Sequence, residues 1–451
     1  MELFGTAGIR GDARARVTPA LALSVGTAVG RDATTVVVGR DGRETGRALA
    51  DALSAGLTSA GADVIRAGIV PTPALAFAAQ GRHGAMLTAS HNPPADNGIK
   101  LFDDGVEYDR DAERRIEERV ATGPEPTRWE DWGDTRRVDV LDRYRDAIVA
   151  YAREHGASLD GLRVVVDCGS GVSALATPAV LTDLGAEVVA LSAAVDGHFP
   201  ARESKPTPET LTDCRRFLAD HEGEPFDLGI AHDGDADRVV VLDSDGEVVH
   251  EDTVVAILAG QFVRSADASD PVVVTTPNAS GRIDERARAA GGRVERVRLG
   301  ALHEGIAAAD EAGGDVVFAA EPWKHIHPGH GGWIDGVASA AVIARLVADR
   351  GLDALREPVT ERPYRKVSVD CPDEAKATVM ERLTATLPDA FPDAGIDTDH
   401  GLRLDLADGS WILVRPSGTE PYVRVYAESD AVDDLVADTV DEVERTVAAE
   451  R

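Results

Sequence analysis

The chain has 451 residues, 43% of them hydrophobic and 28% charged, with 79 acidic against 47 basic side chains and a net charge of −32. That composition excludes disorder as the main state, and no run of eighteen apolar residues offers a membrane span. So negative a surface is a poor partner for nucleic acid or an anionic membrane, and the length suits about three domains or more. In chain order, residues 36–40 (VVVGR), 164–167 (VVVD) and 272–276 (VVVTT) are short β-branched runs that read as buried parallel strands. Each leads through turn residues into an alanine-rich amphipathic stretch, as in 48–62 and 174–186, and then into a further strand. This is βαβ three times over, at a spacing that predicts three related α/β domains. The last ninety residues alternate apolar and polar in YRKVSVD, LRLDLADGSWILVRPS and YVRVYAE, with a hairpin turn at Asp408-Gly409, and a helix over 431–449 closes the chain. We expect an α/β fold: three related α/β domains with mixed or parallel sheets (1–145, 146–249 and 250–362) and a smaller α+β domain (363–451).

Only five basic residues are lysine (Lys100, Lys205, Lys324, Lys366 and Lys376), which leaves 42 arginines. An acid excess of this size costs stability by self-repulsion unless salt screens it, and at molar salt the Debye length falls to about 3 Å. We therefore expect adaptation to a salty cytoplasm. The alternatives are a merely acidic protein, or a genome that encodes arginine in place of lysine. Cys168, Cys214 and Cys371 are too far apart for a disulfide framework or a zinc pattern, and the start, MELFGTAGIRGD, is no secretory signal.

Four motifs carry candidate chemistry. Gly5-Thr6-Ala7-Gly8-Ile9-Arg10-Gly11 permits close backbone approach to an anion, with Arg10 in reach of a phosphate, though such glycines often mark only tight turns. Thr88-Ala89-Ser90-His91-Asn92-Pro93, running on to Lys100, follows an apolar strand. A serine there, with His91 and Lys100 near, suits an activated or phosphorylated hydroxyl, and a plain turn is the alternative. Adjacent serine and histidine side chains ordinarily diverge, so a Ser90–His91 dyad is not implied. Asp233-Gly234-Asp235-Ala236-Asp237-Arg238 lies between two apolar runs. Its three carboxylates repel each other unless a hard cation holds them, and oxygen ligands point to Mg²⁺. An EF-hand fails, because Arg238 stands where glycine is needed and Ser244 where glutamate is. An acidic turn in an acidic chain is the other reading. Arg415-Pro416-Ser417-Gly418-Thr419-Glu420-Pro421, with Arg424 beyond, makes an anion nest or a plain hairpin loop.

Two further segments compete. Gly169-Ser170-Gly171 opens a helix after a strand, as a dinucleotide-binding turn does, but the acid expected at the end of the next strand is missing. Residues 321–333 hold His325, His327 and His330, a poor zinc cage in a glycine- and proline-rich loop. A sugar-reading loop is more natural there, with tryptophan against a pyranose face and Glu321, Lys324 and His325 on hydroxyls.

Taken together and in this order, the motifs resemble those of the α-D-phosphohexomutase superfamily, and the acidic composition fits a haloarchaeal member. The resemblance implies four domains around a central cleft and a cytoplasmic enzyme that interconverts hexose 1- and 6-phosphates through a phosphoserine and a 1,6-bisphosphate. It implies Ser90 as the phosphoserine and Asp233, Asp235 and Asp237, with the serine phosphate, as Mg²⁺ ligands. Arg10, His91, Lys100 and Arg238 then surround the transferring phosphoryl. Glu321 matches the sugar-loop glutamate, and Arg415, Ser417, Gly418, Thr419 and Arg424 match the site for the non-reacting phosphate. The partners implied are a phosphosugar and its bisphosphate, with no nucleic acid and no membrane. The sugar loop departs from the family's Gly-Glu-x-Ser-Gly-His: here it is Ala320-Glu321-Pro322-Trp323-Lys324-His325. Glu-Pro at this point leans toward phosphoglucosamine mutase. Phosphomannomutase or phosphoglucomutase, a phosphopentomutase with a pocket narrowed by Trp323, and a non-catalytic phosphosugar-binding homologue stay open.

Overall fold

Strands form where the β-branched runs predicted them. In the computed structural model, which describes residues 3–5, 8–417 and 420–450, the runs become Thr35–Arg40, Arg163–Asp167 and Pro271–Thr275. The chain divides into two compact units: residues 1–254 with 317–356, and residues 255–316 with 357–451.

In the first unit, a seven-stranded mixed sheet runs in the order Ile9–Asp12, Asp96–Asp103, His83–Leu87, Thr35–Arg40, Asp63–Ile69, Thr135–Arg137, with Val106–Glu107 paired to Asp96–Asp103. The strands from His83–Leu87 to Thr135–Arg137 are parallel, while Ile9–Asp12 and Asp96–Asp103 are antiparallel. Gly98 is required where they cross: a Cβ there would lie 2.4 Å from the Thr88 carbonyl oxygen and 2.6 Å from that of Ile9. Helices Pro19–Val29 and Gly46–Ser59 cover the sheet with a core that includes Val25, Leu49, Leu53 and Leu57. Thr18 caps the first of these, its hydroxyl accepting from Leu21 N.

A second sheet of the same unit has the order Val240–Leu242, Leu228–Ala231, Arg163–Asp167, Glu187–Leu191, with only its first strand antiparallel. Residues 317–321, paired with Lys324–Ile326, and helix Gly336–Arg350, buried from Gly336 to Val347, also belong to this unit.

In the second unit, Pro271–Thr275 pairs in parallel with Arg293–Arg296. The carboxy-terminal sheet is antiparallel throughout, in the order Tyr364–Asp370, Tyr422–Glu428, Trp411–Pro416, Leu402–Asp405, Gly395–Asp397. Gly409 has φ +84 in the tight turn expected at Asp408-Gly409, and helix Val432–Ala449 closes the chain. The alternating pattern was thus read correctly. Helices Lys376–Thr386 and Val432–Ala449 pack on one face, around Val379, Leu383, Ile412, Val425 and Val443. The architecture is multidomain α/β with a β-rich carboxy-terminal domain. No described helix is long and apolar enough to cross a membrane. The three cysteines are buried, and none forms a disulfide among the described residues.

Candidate active site

Two of the motifs leave the carboxyl ends of parallel strands, where open α/β sheets collect their ligands. Ser90 follows His83–Leu87 and Asp233 follows Leu228–Ala231. The two loops meet: the fully buried Ser90 hydroxyl donates to Asp233 Oδ2 at 2.5 Å. Ser90 adopts φ +51, a left-handed conformation that a non-glycine residue takes at a cost of order 1–3 kcal/mol. That twist corrects one expectation. It turns the serine so that Oγ lies 3.3 Å from His91 Nδ1, although neighbours in extended chain would diverge.

The aspartate turn is buried throughout. Asp233, Asp235 and Asp237 bring carboxylate oxygens within 4.8 Å of one another. His232 staples the turn shut, its Nδ1 2.7 Å from the Arg238 carbonyl oxygen and its Nε2 3.0 Å from Thr177 Oγ1, and burial pushes its pKa down to about 4. Burial and the charges of Asp237 and Asp235 push the Asp233 carboxyl well up. Asp237 is buried too, but Lys100, Lys324 and Arg238 hold it well below the usual range. Lys100 Nζ donates to Asp237 Oδ2 at 2.8 Å and lies 3.7 Å from both Asp235 and Glu107. Burial alone would depress this ammonium, and Asp237, Asp235 and Glu107 outweigh it and raise it. His91 is pushed down to about 3 by burial, Arg238 and Arg10.

The residues fit a hard dication. Asp235 Oδ1 and Asp237 Oδ1 are buried without a hydrogen-bond partner, and the donor set is oxygen only. Around them, Arg10 Nε and Nη2 and Arg238 Nε are also buried and unsatisfied, with Arg238 Nε 3.8 Å from Asp233 and from Asp237. Unspent cationic donors beside unspent carboxylate oxygens suit a phosphate and a metal ion in the same place. Sequence reasoning missed two contributors. Thr72 Oγ1 donates to Asp235 Oδ2 at 2.7 Å, and Glu107 sits beside Lys100. Neither lies in a motif, and their partners are 163 and seven positions away.

In the second unit, Arg415 and Arg424 are direct partners on neighbouring antiparallel strands. Like charges so placed destabilise a sheet unless an anion sits between them. Arg424 Nη2 donates to the Tyr422 hydroxyl at 2.6 Å, while its Nε is buried and unsatisfied. Lys376 Nζ donates to the carbonyls of Ser417 (2.7 Å) and Glu420 (2.5 Å), tying the two ends of the loop. Gly418 and Thr419, like Thr6 and Ala7 of the first motif, lie outside the described residues.

Family models for phosphoglucomutase/phosphomannomutase match the chain in three places: α/β/α domain I over residues 1–127, α/β/α domain II over 142–246, and the C-terminal domain over 367–446. The chain belongs to the α-D-phosphohexomutase superfamily. A phosphopentomutase of Thermococcus kodakarensis is 40% identical over 439 residues, 95% of this chain and 94% of that protein. A probable phosphoglucosamine mutase of Methanopyrus kandleri is 40% identical over 458 residues, 98% of each. A solved phosphoglucomutase/phosphomannomutase family protein of Burkholderia thailandensis superposes with a TM-score of 0.85 at 27% identity, over 100% of this chain and 97% of that one. The protein is a phosphosugar mutase.

In this mutase the sugar loop is built differently from expectation. The hairpin carrying Glu321 and Lys324 docks on the aspartate turn, with Val239 N donating to the Trp323 carbonyl at 3.0 Å and Arg238 bridged to Lys324. Lys324 thereby joins the field around Asp237 and His91. His325, expected on a sugar hydroxyl, has almost no exposed surface. It is buried against Phe318, its Nδ1 3.0 Å from Ser339 Oγ on helix Gly336–Arg350 and its Nε2 without a hydrogen-bond partner. Trp323, at φ +67, packs on the core of Val165, Leu211 and Leu242, and buried Trp333 donates to Asp335 at 3.1 Å. Trp333 is buried, while Trp323 is only partly buried. The histidines form no metal cluster among the described residues; the aspartate trio does.

Proposed function

We propose that the chain isomerises hexose 1- and 6-phosphates through a phosphorylated Ser90, with an amino sugar as its substrate. The 2.5 Å contact between Ser90 Oγ and Asp233 carries this reading, because it unites the two motifs that phosphoryl transfer needs in one buried place. Mg²⁺ held by Asp233, Asp235, Asp237 and the serine phosphate would offset the charge of two phosphates brought together. The chain's own groups do the rest. Arg10, Lys100 and Arg238 hold the transferring phosphoryl, and a unit pair at 4 Å is worth about 4 kcal/mol at an effective dielectric near 20, about a thousandfold in rate. The phosphoryl passes from Ser90 to the free sugar hydroxyl, and the 1,6-bisphosphate reorients and returns its other phosphate to Ser90. His91 and Lys100 are the proton carriers, with His91 already in reach of the serine oxygen.

Arg415, Ser417, Gly418, Thr419 and Arg424 take the non-reacting phosphate, and Glu321 and Lys324 meet sugar hydroxyls. We retain the four-domain division at 1–145, 146–249, 250–362 and 363–451 as part of this proposal, with adaptation to a salty cytoplasm. The amino-sugar preference rests on Glu321-Pro322 and on relatives such as the Methanopyrus protein. A pentose phosphate is the second reading, favoured by the equally similar Thermococcus relative. Isomerase assays on glucosamine-, glucose-, mannose- and ribose-1-phosphate in molar KCl with Mg²⁺ decide between them. Intact mass should show an added 80 Da on Ser90 in part of the sample, and Ser90→Ala should abolish turnover. Ligand binding without isomerisation would mean a binding homologue instead.

A further inference from the structure

Two arginines outside every motif bear the same relation to the site. Arg43 is fully buried just beyond strand Thr35–Arg40. A guanidinium has five N–H donors in a fixed plane, and here all five are used. Nε donates to Asp41 Oδ2 at 3.0 Å, Nη1 to the carbonyls of Pro93 (2.5 Å) and Asp96 (2.9 Å), and Nη2 to those of Ser90 (2.9 Å) and Asn92 (2.7 Å). Asp41 also accepts from Arg43 N and from Thr88 Oγ1 at 2.8 Å, and Thr88 Oγ1 in turn accepts from Ser90 N at 2.8 Å. The backbone on both sides of Ser90 therefore hangs from one buried ion pair, with the Phe199 ring covering it at 5.1 Å.

Arg202 repeats the pattern on the second sheet. Its Nε donates to Asp167 Oδ2 at 2.9 Å, at the end of strand Arg163–Asp167. Its Nη2 donates at 2.7 Å to the carbonyl of His232, the residue before Asp233, and its Nη1 to that of Glu203 at 3.0 Å. The two held loops touch where a Cβ on Gly234 would lie 2.7 Å from the Ser90 carbonyl oxygen, the same oxygen that Arg43 holds.

We propose that Arg43 and Arg202 are positioning residues: paired buried clamps, one under the serine loop and one under the aspartate turn, that set the approach of Ser90 to Asp233. The inference deepens the mutase reading and rests on it. A left-handed serine persists only where its surroundings over-determine it, and crowded carboxylates drift apart unless the backbone is held. Lysine keeps the charge opposite Asp41 or Asp167 but offers three donors without the planar fork.

The test compares Arg43→Lys and Arg202→Lys with Arg282→Lys, which alters an equally buried pair with Glu428 in the second unit. All are measured well below their melting temperatures. We expect Arg43→Lys to lower kcat at least a hundredfold with KM within threefold, and to speed amide hydrogen exchange across residues 88–96 at least tenfold. Arg202→Lys should weaken Mn²⁺ binding, followed by electron paramagnetic resonance, at least tenfold. Arg282→Lys should lower the melting temperature alone. Folded Arg43→Lys with normal exchange in that loop overturns the serine clamp whatever its kcat. Normal Mn²⁺ affinity in Arg202→Lys overturns the second clamp. Should Arg43→Lys fail to fold, Thr88→Val must speed exchange in the same loop, or the clamp is wrong. A wild type that isomerises no phosphosugar sinks the mutase reading, while exchange and Mn²⁺ affinity still decide the clamps.

Discussion

The aspartates of residues 233–237 and the histidines of residues 325–330 are each drawn from one short segment and are of metal-binding type, yet the fold arranges them differently. The aspartates crowd, with oxygens of Asp235 and Asp237 left unpartnered. Two of the histidines share one hydroxyl. His325 Nδ1 and His327 Nε2 lie 3.0 and 2.8 Å from the single hydroxyl of Ser339, which donates to the Asp335 carbonyl. Both imidazoles are therefore neutral donors into that oxygen, and burial pushes both pKa values down. His330 completes the group by packing on Phe77, Tyr151 and Trp333. Residue type suggests a metal in both places; His325 Nε2 and His330 Nε2 are also buried without a hydrogen-bond partner, but among the described residues only the aspartates bring three ligand groups within 4.8 Å of one another.

The comparison can be broken most sharply by Asp237→Asn. Removing the carboxylate that both balances Lys100 and offers an unpartnered oxygen should lower kcat about a thousandfold, roughly 4 kcal/mol. A loss under tenfold in a Mg²⁺ titration would mean that the turn holds no working cation.

Next in size is metal withdrawal. Chelation should stop turnover, Mg²⁺ or Mn²⁺ should restore it, and a cation at a hundred times its Kd should stabilise the fold by about 2.7 kcal/mol. Calorimetry with and without Mg²⁺ reads that shift, and Asp235→Asn should erase it. Zn²⁺ should add nothing through the histidines, as a His325→Gln control would show.

Ser339→Ala, on the other side of the comparison, strips two histidines of their acceptor. It should cost about 1–3 kcal/mol in urea unfolding and leave kcat within a fewfold, since none of its partners touches the Ser90 site.

The smallest effect is a slope. His325 is pushed from about 6.5 down to about 3 by burial, so between those pH values the unfolded chain binds the proton and the folded one does not. Stability should therefore fall with acidification from about pH 6.5 toward 3, by up to about 1.4 kcal/mol per pH unit for this residue. His325→Gln should flatten the unfolding profile by that amount. An unchanged profile would mean that the imidazole is not held neutral.

What was legible in the chain was what is contiguous. The β-branched runs became the parallel strands, and TASHNP and DGDADR announced a hydroxyl and a carboxylate cluster because each packs its chemistry into six neighbours. What was illegible depends on partners far along the chain. Arg43 reads as one arginine among 42 until the carbonyls of residues 90–96 fold onto it. His325 reads as a sugar-binding group until the fold buries it against Ser339. The Ser90–His91 contact was discounted for another reason: a positive φ at a serine leaves no mark in composition or spacing.

The hydrogen bond from the Ser90 hydroxyl to Asp233 has a thermodynamic corollary. Esterification with phosphate removes the only proton that oxygen can donate and sets new anionic charge beside a carboxylate. If Ser90 carries the phosphate proposed for it and the turn the proposed cation, the two occupancies are linked and reciprocal: whatever factor the phosphate adds to metal affinity, the metal returns to the phosphoenzyme.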